Sequence, residues 1–144
     1  MSNKSKGSNA ERELIHLFWS QPTWAAVRVA GSGSMKYPSP DIIAGNPQRR
    51  LFIECKISKS NNIYLPKDEI HSLLDFSNRL GGEMYIAFRF DRTAWQFVEV
   101  HQLNKSPTQY VVTRELQGMS FDDLIKREPH HNTVEAPDHE VDLS

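Results

Sequence analysis

The chain has 144 residues, 38% of them apolar, which is enough for one domain with its own hydrophobic core. No run approaches the roughly 18 consecutive apolar residues of a membrane span, the N-terminus lacks an apolar secretory core, and a single cysteine, Cys55, excludes an internal disulfide and a cysteine-based zinc cluster. The net charge of −1 argues against a uniformly basic nucleic-acid binder, yet residues 128–144 hold five acids and no Lys or Arg; without them 17 basic residues face 13 acidic ones, and residues 1–60 carry nine against four.

Residues 1–7 are polar and basic and are expected to form a flexible arm. A helix is expected from Ser8, where Ser8 and Glu11 have the spacing of a capping box, and Ala10, Leu14, Leu17 and Phe18 supply one buried face before Pro22. Residues 25–30 read as a strand with Val27 and Val29 on one side and Arg28 on the other. The glycine- and proline-rich stretch 31–40 is a loop, 41–44 a short strand, 45–50 a turn, and 51–56 a strand buried on both faces. Residues 63–65 read as a further short strand. A helix is expected between Pro66 and Gly81, with Ile70, Leu73, Leu74, Ser77 and Leu80 on one face. Residues 84–90 and 95–100 form a hairpin, 110–113 a strand, and 120–126 a short helix capped by Ser120. The order predicts an α/β fold: a central mixed β-sheet flanked by helices, with a domain over 1–127 and a disordered acidic tail over 128–144.

The chemistry is concentrated where Pro40-Asp41 is followed, after twelve residues, by Glu54-Cys55-Lys56. Alternate strand residues share a face, so Glu54 and Lys56 point one way while Ile53 and Cys55 point into the core. If the turn at 45–50 closes a hairpin, Asp41 lies opposite Glu54, with the two side chains roughly 5 Å apart. Two carboxylates at that distance repel, and a hard divalent cation relieves the repulsion. Such a cation is a Lewis acid for phosphate, and an adjacent Lys56 either orients the attacking water or stabilises charge on the phosphate. The plain alternative is an exposed hairpin with paired surface charges. Against it stands Leu51-Phe52-Ile53, whose unbroken apolar run marks a central strand rather than a surface one.

Asp, spacer, Glu-x-Lys resembles the signature of the restriction-endonuclease-like nuclease superfamily. Four ordered segments narrow the likeness: Lys6-Gly7-Ser8-Asn9-Ala10-Glu11-Arg12-Glu13-Leu14, Arg28-Val29-Ala30-Gly31-Ser32-Gly33-Ser34, Pro40-Asp41-Ile42-Ile43-Ala44-Gly45-Asn46 and Ile53-Glu54-Cys55-Lys56. Together they resemble the archaeal-type Holliday junction resolvases, over roughly residues 4–127. Cys55 stands where valine or methionine is more usual, and the tail has no counterpart.

The resemblance implies a restriction-endonuclease-like fold and a structure-selective endonuclease that makes paired nicks in four-way DNA junctions and leaves 5′-phosphates. It implies Glu11, Asp41 and Glu54 as ligands of Mg2+, with Mn2+ able to substitute. It implies Glu11, Ser32, Asp41, Glu54 and Lys56 as the catalytic set, Ser32 being otherwise readable as part of a Gly-Ser hinge. Lys4, Lys6, Arg12, Arg28 and Lys36 are implied as DNA contacts, though a salt bridge is the simpler role for Arg28. A homodimer is expected, since a four-way junction has near two-fold symmetry and one chain carries one Asp and Glu-x-Lys set. Its surface is expected around 73–80 and the 85–97 hairpin. No nucleotide cofactor and no membrane are expected, and the location is expected to be cytoplasmic. The competing readings are a nuclease of the same fold without junction selectivity and a DNA-binding module without catalysis. His130, His131 and His139 are weak metal candidates, His16 and His71 read as solvated, and Cys55 faces the core and is discounted as a nucleophile.

Overall fold

The computed structural model describes residues 3–31 and 36–133, apart from the side chains of residues 3–6 and 8. Helix α1 (Asn3–Trp19) begins five residues before Ser8, so Ser8 lies inside it and the expected capping box does not mark its start. Leu14 and Phe18 are fully buried, while Leu17, expected on the same face, is 36% exposed. Strand β1 (Ala25–Arg28) pairs antiparallel with β2 (Ile42–Gly45). The alternation along β1 is the expected one, but its inner face carries Ala26 and Arg28, and Val27 is the exposed residue.

Strand β2 turns through Asn46, whose side chain accepts from the Gln48 and Arg49 amides, into the long β3 (Arg50–Ser58). The hairpin register pairs Ile42 with Ile53 and Gly45 with Arg50. After β4 (Asn62–Pro66) comes helix α2 (Lys67–Arg79), which begins one residue after Pro66, as the proline placement predicts. Its buried side is Lys67, Ile70, Leu73 and Ser77, whereas Leu80 is exposed. Gly81 ends it in the left-handed region (φ 70°), and a Cβ on Gly82 would run into the Phe52 ring.

Strand β5 (Glu83–Phe90) then runs parallel to β3, pairing Leu51 with Glu83 and Lys56 with Phe88. The expected hairpin follows as β6 (Gln96–Val98), antiparallel to β5, and ends in a one-turn 3-10 helix, Val100–Gln102. The central sheet is therefore mixed, in the order β1-β2-β3-β5-β6.

The single expected sheet is joined by a second, small one. In it β4 pairs with β8 (Gln109–Thr113), and β8 with the two-residue β7 (Asn104–Lys105). Short helix α3 (Phe121–Lys126) is capped by Ser120, whose hydroxyl accepts from the Asp123 amide at 3.1 Å.

Two clusters sandwich the central sheet. On one face Leu14 and Phe18 of α1 and Leu124 of α3 meet Ile42, Ile53, Tyr85 and Phe97; on the other, Ile70 and Leu73 of α2 meet Ile86, Phe88, Leu65 and Tyr110. Successive β5 residues feed opposite clusters, which is what a strand buried on both sides requires. A buried ion pair ties the layers together. Arg49 donates to both carboxylate oxygens of Glu83 at 2.9 and 2.8 Å and to the Leu124 carbonyl at 2.7 Å. Residues 128–133, grouped by sequence with the acidic tail, are hydrogen-bonded to this framework through His130 and Asn132; residues 134–144 lie outside the described residues.

Candidate active site

Glu54 sits in the middle of β3 and is 7% exposed. Lys56, two residues on and therefore on the same face, places its Nζ 3.7 Å from Glu54 Oε2. One step beyond the Ile42–Ile53 pair, the hairpin register brings Asp41 beside Glu54, as the twelve-residue spacing predicts. Asp41 is held on three sides. Its amide donates to the Ile53 carbonyl at 3.0 Å, its carbonyl accepts from the Val29 amide at 2.8 Å, and its Oδ2 accepts from the Cys55 amide at 2.8 Å. The Asp41 backbone is thus tied on both sides, and its carboxylate is held by the Cys55 amide of β3.

The electrostatics show the expected conflict. Burial, and after it the negative charge of Asp41, pushes the Glu54 carboxyl up to about 8, although Lys56 pulls the other way. Glu69, in the first turn of α2, adds to the push and is a residue the sequence analysis did not single out. Glu11 on α1 is also raised, first by burial and then by Asp41, against the opposing effect of Arg28. Arg28 Nε lies 2.9 Å from Glu11 Oε1, so the salt bridge considered for Arg28 is present and Glu11 is its partner. Burial first, then Asp41, Glu11 and Glu54, raise the Cys55 thiol well above its usual range, which keeps it protonated and unreactive.

The expected trio is therefore an Asp41–Glu54 pair with Glu11 standing within electrostatic reach of Asp41. Among the described residues no three His, Cys, Asp or Glu side chains gather closely enough to hold a metal ion. The donors are all carboxylate oxygens with a lysine alongside, and a hard cation held by one or two carboxylates, with water and phosphate completing its shell, needs no tighter cage. A positive charge there also relieves the repulsion that raises Glu54.

The remaining expected residues are less gathered. Arg12 is exposed on α1, with Nη1 3.5 Å from Asn9 Oδ1. Lys36 is exposed, its Nζ 5.7 Å from the centre of the Tyr37 ring. Lys4 and Lys6 lie within α1, but their side chains are outside the described residues, as is Ser32 altogether.

One neighbour was not anticipated. A surface groove of about 430 Å3 runs between α1 and the far ends of β3 and β5, lined by Asn9, Ala10, Glu13, Ile57, Arg89, Asp91 and Arg92. Arg89 is locked there, 2.6 Å from Glu13, with its guanidinium 4.8 Å from the Trp95 ring centre. Its signal in the sequence was the one that exposed Glu54: a charge at the end of a strand apolar on both faces.

Residues 2–133 match the family model for archaeal Holliday junction resolvase (Hjc). The crossover junction endodeoxyribonuclease Hjc of Archaeoglobus fulgidus is 36% identical over 119 residues, 83% of this chain and 87% of that protein. The protein of the same name from Sulfolobus acidocaldarius is 32% identical over 131 residues, 88% of this chain and 90% of the other. The solved structure of Archaeoglobus fulgidus Hjc, a Holliday junction resolvase, superposes with a TM-score of 0.75 at 34% identity, covering 81% of this chain and 96% of that one. With the mixed sheet and the Asp41, Glu54 and Lys56 constellation already in place, these matches make the chain a member of the archaeal Holliday junction resolvase family, metal-dependent nucleases of restriction-endonuclease-like fold.

Proposed function

We infer that the chain resolves four-way DNA junctions by paired, metal-dependent nicks. The observation that carries this reading is the Asp41–Glu54 carboxylate pair beside Lys56 on a central strand, in a chain of this family. Asp41 and Glu54 hold Mg2+, for which Mn2+ substitutes, and Glu11 supplies the third carboxylate. When bound, the cation provides Lewis acidity at the phosphate and makes water more acidic. The oxygen of water adds to the scissile phosphorus and the P–O3′ bond breaks, leaving a 5′-phosphate and a 3′-hydroxyl. Lys56 either orients that water or stabilises the extra negative charge on the phosphate, and Asp41, fixed by three backbone hydrogen bonds, sets where the reaction takes place. Ser32 is assigned a role at the same phosphate on the family resemblance alone. Lys4, Lys6, Arg12, Arg28 and Lys36 neutralise backbone phosphates, Arg28 exchanging Glu11 for DNA.

The active form is a homodimer, since resolution needs two symmetric cuts. The 85–97 hairpin does not supply its surface, because Tyr85, Phe88 and Phe97 are fully buried in the chain's own core. An apolar row does remain on the α2 face of the sheet: Val27 pairs with Ile43 and Ile43 with Phe52, where Phe76 packs edge-on, and Leu80 is 51% exposed at the end of that helix. Among the described residues no helix is long and apolar enough to cross a membrane, and a cytoplasmic location agrees with a DNA substrate.

The test is cleavage of a four-way junction and a linear duplex of matching sequence, each with Mg2+. Selective, paired nicking of the junction is expected, and Asp41→Asn abolishes it while keeping junction binding. Equal cutting of both substrates would reduce the protein to a nuclease without junction selectivity. No cutting of either would leave a DNA-binding module. Sedimentation at micromolar concentration is expected to give about twice the chain mass of 16.6 kDa.

A further inference from the structure

The groove between α1 and the late ends of β3 and β5 is bounded by two residues that adjoin the catalytic set in sequence. Ala10 precedes Glu11 on α1, and Ile57 follows Lys56 on β3. Consecutive Cα atoms lie about 3.8 Å apart, and a DNA strand advances about 3.4 Å per nucleotide along a duplex axis, so the groove lies where nucleotides flanking a phosphate at Lys56 pass. Its floor is apolar. Ile57 shares the α1 side of the sheet with Cys55 and is 40% exposed, and the volume of about 430 Å3 is that of a small-ligand cleft.

The charges around it are unequal in what they have left to offer. Glu13 and Arg89 pair with each other at 2.6 Å, and Arg89 also donates to the Thr93 carbonyl at 2.9 Å. Asp91 accepts from Arg114 at 2.8 Å. Arg92, the remaining charged residue of the lining, is exposed and has no hydrogen bond or ion pair with any described residue. Its backbone is nevertheless fixed. Asp91 before it sits in the left-handed region (φ 56°) and donates its amide to the Ser58 carbonyl at 2.9 Å. Thr93 after it donates its hydroxyl to the Phe90 carbonyl at 2.9 Å. Arg114 closes the same corner by donating to the Lys59 and Ser60 carbonyls, each at 3.0 Å. With Glu13 and Asp91 neutralised inside the chain, the groove presents one uncompensated guanidinium on a rigid mount, beside the catalytic end of β3.

We propose that this groove is a DNA subsite, in which Arg92 takes a backbone phosphate of the strand being cut and Ile57 and Ala10 lie against its deoxyribose. The subsite rests on the reading of the chain as a junction-cleaving nuclease. A guanidinium without a partner matches a phosphate in charge and in the planar geometry of its donors. Because the turn on which it stands is already ordered, less conformational freedom is lost when DNA binds. The contact is to the backbone, so it sets affinity and the register of the strand and carries no base preference. Arg89 has a different part: paired with Glu13, it holds the α1 wall of the groove to β5.

The experiment is fluorescence anisotropy of the full chain on a labelled four-way junction, in chelator so that binding is read without cleavage, over about 50 to 200 mM salt. Arg92→Ala is expected to weaken binding about three- to tenfold and to flatten the plot of log affinity against log salt by about 0.7–0.9, the share of one phosphate. Arg92→Lys restores the slope. Lys126→Ala, which removes the same charge from the exposed end of α3, leaves it unchanged. Junctions carrying one uncharged methylphosphonate then locate the contact, with the cleaved bond mapped by the wild type in Mg2+. A substitution within about three nucleotides of that bond is expected to weaken the wild type as much as Arg92→Ala does and to add nothing to that variant. Wild-type affinity and slope in Arg92→Ala, or methylphosphonate effects equal in both proteins at every position, would overturn the subsite and leave the cleavage reading standing. A wild type that binds the junction without cutting it would remove the cleavage reading, while the change of slope in Arg92→Ala would still place Arg92 on DNA.

Discussion

Replacing Glu54 with glutamine tests whether the catalytic end is strained by its own charge. In the metal-free protein, burial and Asp41 raise the Glu54 carboxyl from 4.5 to about 8. The folded chain therefore keeps a proton that the unfolded chain gives up, and folding stability falls as pH rises from about 4.5 towards 8. Each tenfold change in acidity between the two states is worth about 1.4 kcal/mol, so the loss across this window is on the order of a few kcal/mol. Glutamine keeps the shape and the hydrogen-bonding atoms but cannot ionise. Glu54→Gln should match the wild type in stability near pH 5 and exceed it at pH 8 by roughly 2–4 kcal/mol, or ~5–10 °C in melting temperature for a chain of this size. The assay is thermal unfolding of both proteins in chelator at several pH values, read as the difference between them so that other titrating groups cancel. Adding Mg2+ at pH 8 should then stabilise the wild type and leave Glu54→Gln nearly unmoved, because a cation that binds the folded site raises stability only where its ligands remain. A difference between the two proteins that stays flat from pH 5 to pH 8 would refute the claim that Glu54 is forced towards neutrality.

Lys56→Ala is expected to lose most junction cleavage even in saturating Mg2+, because the ammonium acts on charge that develops in the transition state; recovery at high Mg2+ would show instead that Lys56 tunes cation affinity. Arg49→Met strands the Glu83 carboxylate in the core and should cost about 3–5 kcal/mol in urea unfolding, part of which returns in the double variant with Glu83→Gln; a cost below about 1 kcal/mol would mean that the pair is not a structural tie. Deleting residues 134–144 removes Glu135, Asp138, Glu140 and Asp142 while keeping His130 and Asn132 in place. Junction affinity by fluorescence anisotropy should rise at low salt and converge with the full chain at high salt, and an unchanged low-salt affinity would show that the tail does not compete for the basic face.

What could be read from sequence was whatever a single period carries. Period two along 51–56 put Glu54 and Lys56 on one face, and a tight turn at 45–50 then left Asp41 one position to occupy, next to Glu54. Periodicity is silent about partners, and that is where the expectations diverged. The apolar runs at 63–65 and 110–113 were visible as strands, but nothing local told that they pair with each other, outside the central sheet. On β1 the alternation was plain, yet which side faces inward was decided by α1, where Glu11 gives Arg28 a partner that neither valine could use. Residues 128–133 contain no large apolar group, so hydropathy assigned them to the tail; what holds them is polar side-chain bonding from His130 and Asn132.

Strand β5 shows how far the more successful rule extends. A charge within a run that is apolar on both faces was the feature that separated Glu54 and Lys56 from surface decoration. The same rule applied to Glu83–Phe90 picks out Glu83 at one end and Arg89 at the other. Glu83 proves to be the anchor of the buried Arg49 pair and of His130, and Arg89 a fixed cation in the groove between α1 and the late ends of β3 and β5. Because β3 and β5 are parallel, their late positions, Lys56 and Arg89, fall at one end of the sheet, while Glu83 falls at the other. Glu54 aligns with Ile86, three residues or about 10 Å along the strand from Glu83, and Lys56 lies two residues further on. This separation lets Glu54 and Asp41 be crowded to the point of repulsion without weakening the ion pair that ties the sheet to α3.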